Sequence, residues 1–231
     1  MQTLKNIDLV IPVLNPNHGW AEATLSKKKS FEKALECQVR LIISDDGSKS
    51  KTEFDLLHQL DPTSLIVRSE SNRGKGHSLR LGISKSDADF LLFTDADFPY
   101  EIESMVSIAR SLESGADVCL GYREEDYYAS VPWFRKGLSE SFRFVLKTIL
   151  KFPITDTQCG LKGMGKKGKS IFMETRIDRF LVDMEFIKLA VNQNANIKPV
   201  VVSLRPNVQF SSMGASVLIR EFINFLRILL I

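Results

Sequence analysis

Apolar runs of strand length alternate with helix-period segments through the first half of this chain, and that alternation constrains the fold more than any single motif. Residues 7–14, 39–44, 65–68, a run opening at Phe90, and 116–120 read as strands. Residues 24–36, 52–60, 76–84 and 101–114 between them read as helices; in the last, Ile102, Met105, Val106, Ile108, Ala109 and Leu112 mark one apolar face. Strand and helix in strict alternation predict an α/β fold, a mostly parallel sheet with helices on both faces. The 231 residues, 44% hydrophobic, are enough for one sizeable core.

The second half is less regular. Residues 134–152 read as one long helix, with Arg143, Lys147 and Lys151 at four-residue spacing. Residues 182–191 read as a helix, 197–204 as a strand and 217–231 as a final helix. In that last segment Arg220, Glu221, Asn224 and Arg227 form a narrow polar stripe on an otherwise apolar surface. It is too short and too charged to span a bilayer, and suits a membrane interface or a protein face. Lys166, Lys167 and Lys169 read as a solvated turn.

In a sheet of this kind, ligands bind beyond the carboxyl ends of the strands. Each of the first four strands ends in a polar cluster: Asn15, then Asp45 and Asp46, then Asn72-Arg73-Gly74-Lys75-Gly76, then Asp95-Ala96-Asp97. Asp95 and Asp97 share one face of an extended chain. They repel each other unless a cation lies between them, and a hard divalent metal that also takes substrate phosphates fits oxygen ligands. Asp45-Asp46-Gly47-Ser48 reads either as a turn or as a carboxylate that accepts hydrogen bonds from a base or ribose, with Pro12 and Asn15 lining the same pocket. Ser71 to Gly76 reads either as a basic helix-entry turn or as a phosphate loop, glycines giving close approach and cations adding charge. It is not a Walker loop, because Ser69 and Gly76 stand where that pattern needs Gly and Ser or Thr.

The net charge of +3 gives no nucleic-acid surface, although residues 134–151 hold five basic residues and one acid. Cys37, Cys119 and Cys159 form no Cys-x-x-Cys pair, which fits a reduced, cytoplasmic setting and argues against zinc. The N-terminus has no signal-peptide layout, and no uncharged apolar stretch reaches the roughly 18 residues of a spanning helix. His18, His58 and His77 lack ligand spacing.

Ile11-Pro12-Val13-Leu14-Asn15, Ser44 to Ser48, Asn72 to Gly76 and Thr94 to Asp97 occur in the order seen in family 2 glycosyltransferases with the GT-A fold. Asp156-Thr157-Gln158-Cys159-Gly160-Leu161-Lys162 resembles the signature of the polyprenyl-phosphate members, which include dolichyl-phosphate mannose and glucose synthases. The resemblance runs from about Ile7 to Arg205. It implies a GT-A catalytic domain over residues 1–210, followed by an amphipathic, membrane-interfacial helix over 211–231. It implies a UDP- or GDP-hexose donor held by Pro12, Asn15, Asp45, Asp46, Arg73, Lys75, Asp95, Ala96 and Asp97. Mg²⁺ or Mn²⁺ would sit on Asp95 and Asp97. Arg123, Arg135, Ser139, Gln158 and Lys162 would gather around a polyprenyl-phosphate acceptor at the cytoplasmic face of a membrane.

A lipid phosphate is already an anion and needs positioning rather than a base. Arginine suits it, binding phosphate bidentately. A hydroxyl acceptor would need a base, with Asp156, Asp183 and Glu185 as the candidates. A non-catalytic sugar-nucleotide-binding module is the remaining alternative. Phe98-Pro99 follow the metal motif where mannose synthases of this group often have Gln, which leaves the sugar open.

Overall fold

The computed structural model describes residues 6–123, 152–206, 221 and 224–231. The expected helix at 134–152, Arg135, Ser139 and much of the expected C-terminal helix lie outside the described residues.

Alternation of strands β1 (Ile7–Val13), β2 (Val39–Asp45), β3 (Leu65–Arg68), β4 (Phe90–Phe93) and β5 (Val118–Tyr122) with helices α1 (Trp20–Leu35), α2 (Thr52–Leu60), α3 (Lys75–Ile83) and α4 (Ile102–Glu113) is as the sequence predicts. Then come β6 (Lys162–Met164), α5 (Lys166–Met173), α6 (Val182–Asn192) and β7 (Ile197–Val201). The seven strands form one sheet in the order β3-β2-β1-β4-β6-β5-β7. β1 is parallel to β2 and β4, β2 to β3, and β5 to β7; β6 runs antiparallel to both β4 and β5.

Successive strand residues face opposite sides, so each strand feeds two cores. Leu9, Ile11, Leu41 and Ile43 pack under α1, α2 and α4, against Phe31, Leu57 and Ile108. Val10, Ile42, Leu91 and Phe93 pack under α3, α5 and α6, against Leu79, Phe172 and Phe186. Phe172 meets Phe93 edge-on at 5.7 Å and Phe186 at 5.0 Å, which locks α5 and α6 onto the sheet.

Three differences from the sequence expectation have physical causes. Helix α1 starts at Trp20 rather than Thr24, because Glu53 of α2 accepts hydrogen bonds from Gly19 N (3.1 Å) and Ala21 N (2.9 Å) and caps it from a distance. Lys166, Lys167 and Lys169 open a helix, α5, rather than a turn. Lys166 pairs with Asp89 at 2.9 Å, Lys167 with Asp117 at 3.3 Å, and Lys169 donates to the Ser86 carbonyl. Strand β7 ends at Val201, because the chain then leaves the sheet edge to pair with the loop after β4: Glu101 N donates to Ser203 O, and Arg205 N to Pro99 O.

At the C-terminus, Ile228 is buried and Glu221 accepts from Leu181 N, while Leu226, Leu229 and Leu230 are exposed. Among the described residues no helix is long and apolar enough to cross a membrane.

Candidate active site

The carboxyl ends of β1 to β4 meet at one edge of the sheet. Antiparallel β6 brings its own entry loop, Asp156 to Leu161, to that edge, because Lys162 pairs with Phe93 of β4 and Leu120 of β5. The sequence motifs therefore converge from both halves of the chain.

A cavity of about 230 Å³ opens there, lined among others by Pro12, Asp46, Asn72, Lys75, Asp95, Arg179 and Phe180. Asn15 has a left-handed φ of 49° and ties two loops together: its N–H donates to Ser48 Oγ at 2.7 Å, and its side-chain oxygen accepts from Lys49 N at 2.9 Å. Both acids after β2 are engaged within the protein. Asp45 accepts from Ser48 N at 2.8 Å and pairs with Arg68 at 3.1 Å. Asp46 accepts from Arg73 N at 2.9 Å and Gly74 N at 2.8 Å.

The loop at 71–76 differs from the phosphate loop that its glycines suggest. Arg73 and Gly74 donate to Asp46, while Gly76 N (2.7 Å) and His77 N (3.2 Å) donate to the Asp178 carbonyl. Those four amides already have partners. The glycines serve backbone packing instead: a Cβ on Gly76 would lie 2.1 Å from Ile177 O, and one on Gly74, at φ 113°, 2.6 Å from Asp178 O. The Arg73 guanidinium lies 3.6 Å from the Asp178 carboxylate.

Asp95-Ala96-Asp97 is held by its backbone. The Trp20 indole donates to Ala96 O at 2.9 Å. The Arg205 guanidinium donates to Asp97 O and to Phe98 O, each at 2.5 Å, and Phe98 itself adopts φ 48°. Gly160 lies directly against Asp95, and its N–H donates to the Tyr100 hydroxyl at 2.7 Å. Desolvation first, and then the like charge of Asp95, raise the Asp97 pKa above its ordinary 3.8. Two hard oxygen donors that resist sharing one negative site fit a divalent cation. Among the described residues no group of three or more acidic, His or Cys side chains is placed to hold a metal ion, so two carboxylates are what this turn offers, the rest falling to phosphate and water.

Behind this turn lies a buried ionic chain. Lys75 Nζ lies 3.0 Å from Asp95 and 3.3 Å from Asp183; Lys162 Nζ lies 2.7 Å from the other Asp183 oxygen. Burial works against both charged forms. The neighbouring opposite charges outweigh it, holding the Asp183 pKa below the usual carboxylate range and the Lys75 pKa above the usual lysine value.

Lys162, expected on the acceptor, is a correction. Its side chain is fully buried and also donates to the carbonyls of Thr157 (3.2 Å) and Cys159 (2.5 Å), so it supports the loop from beneath. The three expected bases are engaged as well. Asp156 accepts from Arg123 N (2.9 Å), Nε (2.7 Å) and Nη2 (2.7 Å). Glu185 accepts from Arg176 N and Ile177 N. Asp183 carries the two lysines. Gln158 alone of the described acceptor candidates is exposed at the surface.

Sequence reasoning missed Trp20, Tyr100, Arg205, Arg179 and Phe180. They stand outside the strand-end motifs, and Arg205 reaches Asp97 over 108 residues of chain.

A larger cleft of about 620 Å³ opens at the opposite edge of the sheet. Its charges pair with one another, Arg40 with Asp8 and Lys28 with Asp61, so it lacks the convergent motifs of the first.

The chain is 30% identical over 185 residues to dolichyl-phosphate beta-glucosyltransferase of Dictyostelium discoideum, covering 74% of this chain and 57% of that protein. It is 28% identical over 207 residues to the Homo sapiens protein of the same name, covering 80% and 63%. The chain thus spans less than two thirds of the length of these relatives. Glucosyl-3-phosphoglycerate synthase from Mycobacterium tuberculosis, solved with Mn²⁺, uridine diphosphate and phosphoglyceric acid, has the same fold at a TM-score of 0.66 and 15% identity, over 97% of this chain and 78% of that one. Residues 8–169, from β1 into α5 and including every motif at the carboxyl edge up to Lys162, match the sequence model of one family, and the chain belongs to it: glycosyl transferase family 2.

Proposed function

We propose that this chain is a metal-dependent, inverting glycosyltransferase that moves a hexose from a UDP- or GDP-sugar to a polyprenyl phosphate. The carrying observation is that Asp156, Asp183 and Glu185 are all engaged by cations or backbone amides. A hydroxyl acceptor would need one of them as a base. A phosphate acceptor needs none. The dolichyl-phosphate beta-glucosyltransferase relatives point the same way, and favour glucose.

The donor would lie in the cavity beside Pro12, Asp46 and Asn72, its diphosphate toward Lys75 and Asp95. Asp95 and Asp97 would hold Mg²⁺ or Mn²⁺, which when bound stabilises the charge growing on the leaving diphosphate. Arg123, braced by Asp156, and exposed Gln158 border the acceptor side, where Arg135 and Ser139 are proposed to join them. Direct displacement by the acceptor phosphate inverts the anomeric centre. Residues 1–210 form the proposed catalytic domain. The exposed leucines within 211–231 support a peripheral position on a membrane, proposed at its cytoplasmic face.

Incubation with labelled UDP-glucose or GDP-mannose, Mn²⁺ and undecaprenyl or dolichyl phosphate tests this reading. Label is expected in an organic-soluble glycosyl phosphate. Transfer to a saccharide hydroxyl, with none to lipid phosphate, overturns it.

Arg205 offers a second check. Arg205→Gln removes the donors that fix the Asp97 and Phe98 carbonyls. Transfer is expected to fall roughly tenfold as the carboxylate wanders from its productive position. The melting temperature should move by only a few degrees, since about 1 kcal/mol is at stake.

A further inference from the structure

Lys75 stands between two carboxylates that do not depend on it equally. Asp183 keeps Lys162 at 2.7 Å whatever Lys75 does. Among the described residues the Asp95 carboxylate pairs with no cation but Lys75, 3.0 Å from Oδ1. Asp95, Asp97 and Asp183 face the ammonium groups of Lys75 and Lys162 and the Arg205 guanidinium, so the local charges already balance. A divalent cation drawn to Asp95 meets an ammonium already holding one of its oxygens, and the two cations repel each other.

A diphosphate changes that balance. It brings negative charge that offsets the second cation, and it offers oxygens to the ammonium's three donors. Asp183, 3.3 Å away on the other side, tethers Lys75 throughout. Resting on the donor site of the proposed function, we propose that Lys75 couples the two parts of donor binding: it opposes a divalent cation arriving alone at Asp95 and favours one that arrives with a nucleoside diphosphate. The coupling is reciprocal, so the cation tightens the nucleotide by the same factor.

Lys75→Met tests this, because it removes the charge and leaves Asp183 paired with Lys162. Free Mn²⁺ is followed by electron paramagnetic resonance in titrations with and without UDP or GDP, and nucleotide binding by calorimetry. In the native protein the matching nucleotide should tighten Mn²⁺ about tenfold or more. Lys75→Met should bind Mn²⁺ alone about tenfold more tightly than the native protein, with the nucleotide effect reduced to about twofold. Lys75→Gln carries the same expectation should the methionine variant melt early. A variant that binds Mn²⁺ alone no more tightly than the native protein overturns the inference. If the native protein binds neither nucleotide in the presence of Mn²⁺, the donor-site reading fails with it. If it binds both ligands and the variants couple them equally well, only the role of Lys75 fails.

Discussion

Asp183→Ala is expected to lower stability by about 3–5 kcal/mol, because it strands a buried charge. Lys162 is fully enclosed, and its ammonium has Asp183 as its one ionic partner among the described residues. The remaining contacts, the carbonyls of Thr157 and Cys159, are dipoles and cannot neutralise it. For a chain of this size the melting temperature should fall by roughly 10 °C. The sign of the pH dependence follows from the lowered Asp183 pKa. Its contribution is complete above the unfolded carboxylate value of about 3.9 and is lost as pH falls through the lower folded value. Native and variant proteins should therefore differ fully at neutral pH and converge only in strong acid. Asp183→Ala combined with Lys162→Met should recover much of the loss, since a buried pair replaced by apolar groups is often near neutral. Denaturant melts of the native protein and the two variants form the test. A single variant within 1 kcal/mol of the native protein would mean that Lys162 finds another partner.

That buried chain also marks where the sequence stopped being readable. The strand-end clusters were legible because strands buried on both faces read as continuous apolar runs that announce their own ends, and the polar residues after them had to lie at one edge. Lys162 read as a cation facing the acceptor. Only the antiparallel course of β6 turns it inward, and three residues, Lys162-Gly163-Met164, carry no strand signal of their own. The lysines after it looked like a turn because their acidic partners, Asp89 and Asp117, lie far back in the chain. The early start of α1 depends on Glu53 in another helix. Asp156, Asp183 and Glu185 were legible as acids. That each is engaged inside the protein is a long-range fact, and it separates an acceptor needing a base from one that does not.

Gly160→Ala should lower glycosyl transfer by about 10²-fold while leaving the fold nearly as stable as before. An added Cβ would lie 1.9 Å from Asp95 Oδ2 and 2.7 Å from its Cγ. No atom survives at that distance, and the mobile partner is the carboxylate, a side-chain end that can swing away. The Gly160 backbone is not in the left-handed region, so alanine meets no φ penalty there. Its smaller unfolded-state entropy even favours folding, by about 0.4–1 kcal/mol. The Gly160 N–H to Tyr100 hydroxyl bond needs no side chain and should persist. The cost therefore falls on where Asp95 points. Mn²⁺ affinity in the presence of nucleotide should weaken with the rate, since the same carboxylate serves both. A variant that transfers sugar at the native rate would mean that Asp95 tolerates displacement and is not a ligand. Loss of activity with an equal collapse of the melting temperature would mean that Gly160 serves the core. Lost turnover on an intact fold separates the proposed metal turn from an acidic strand end.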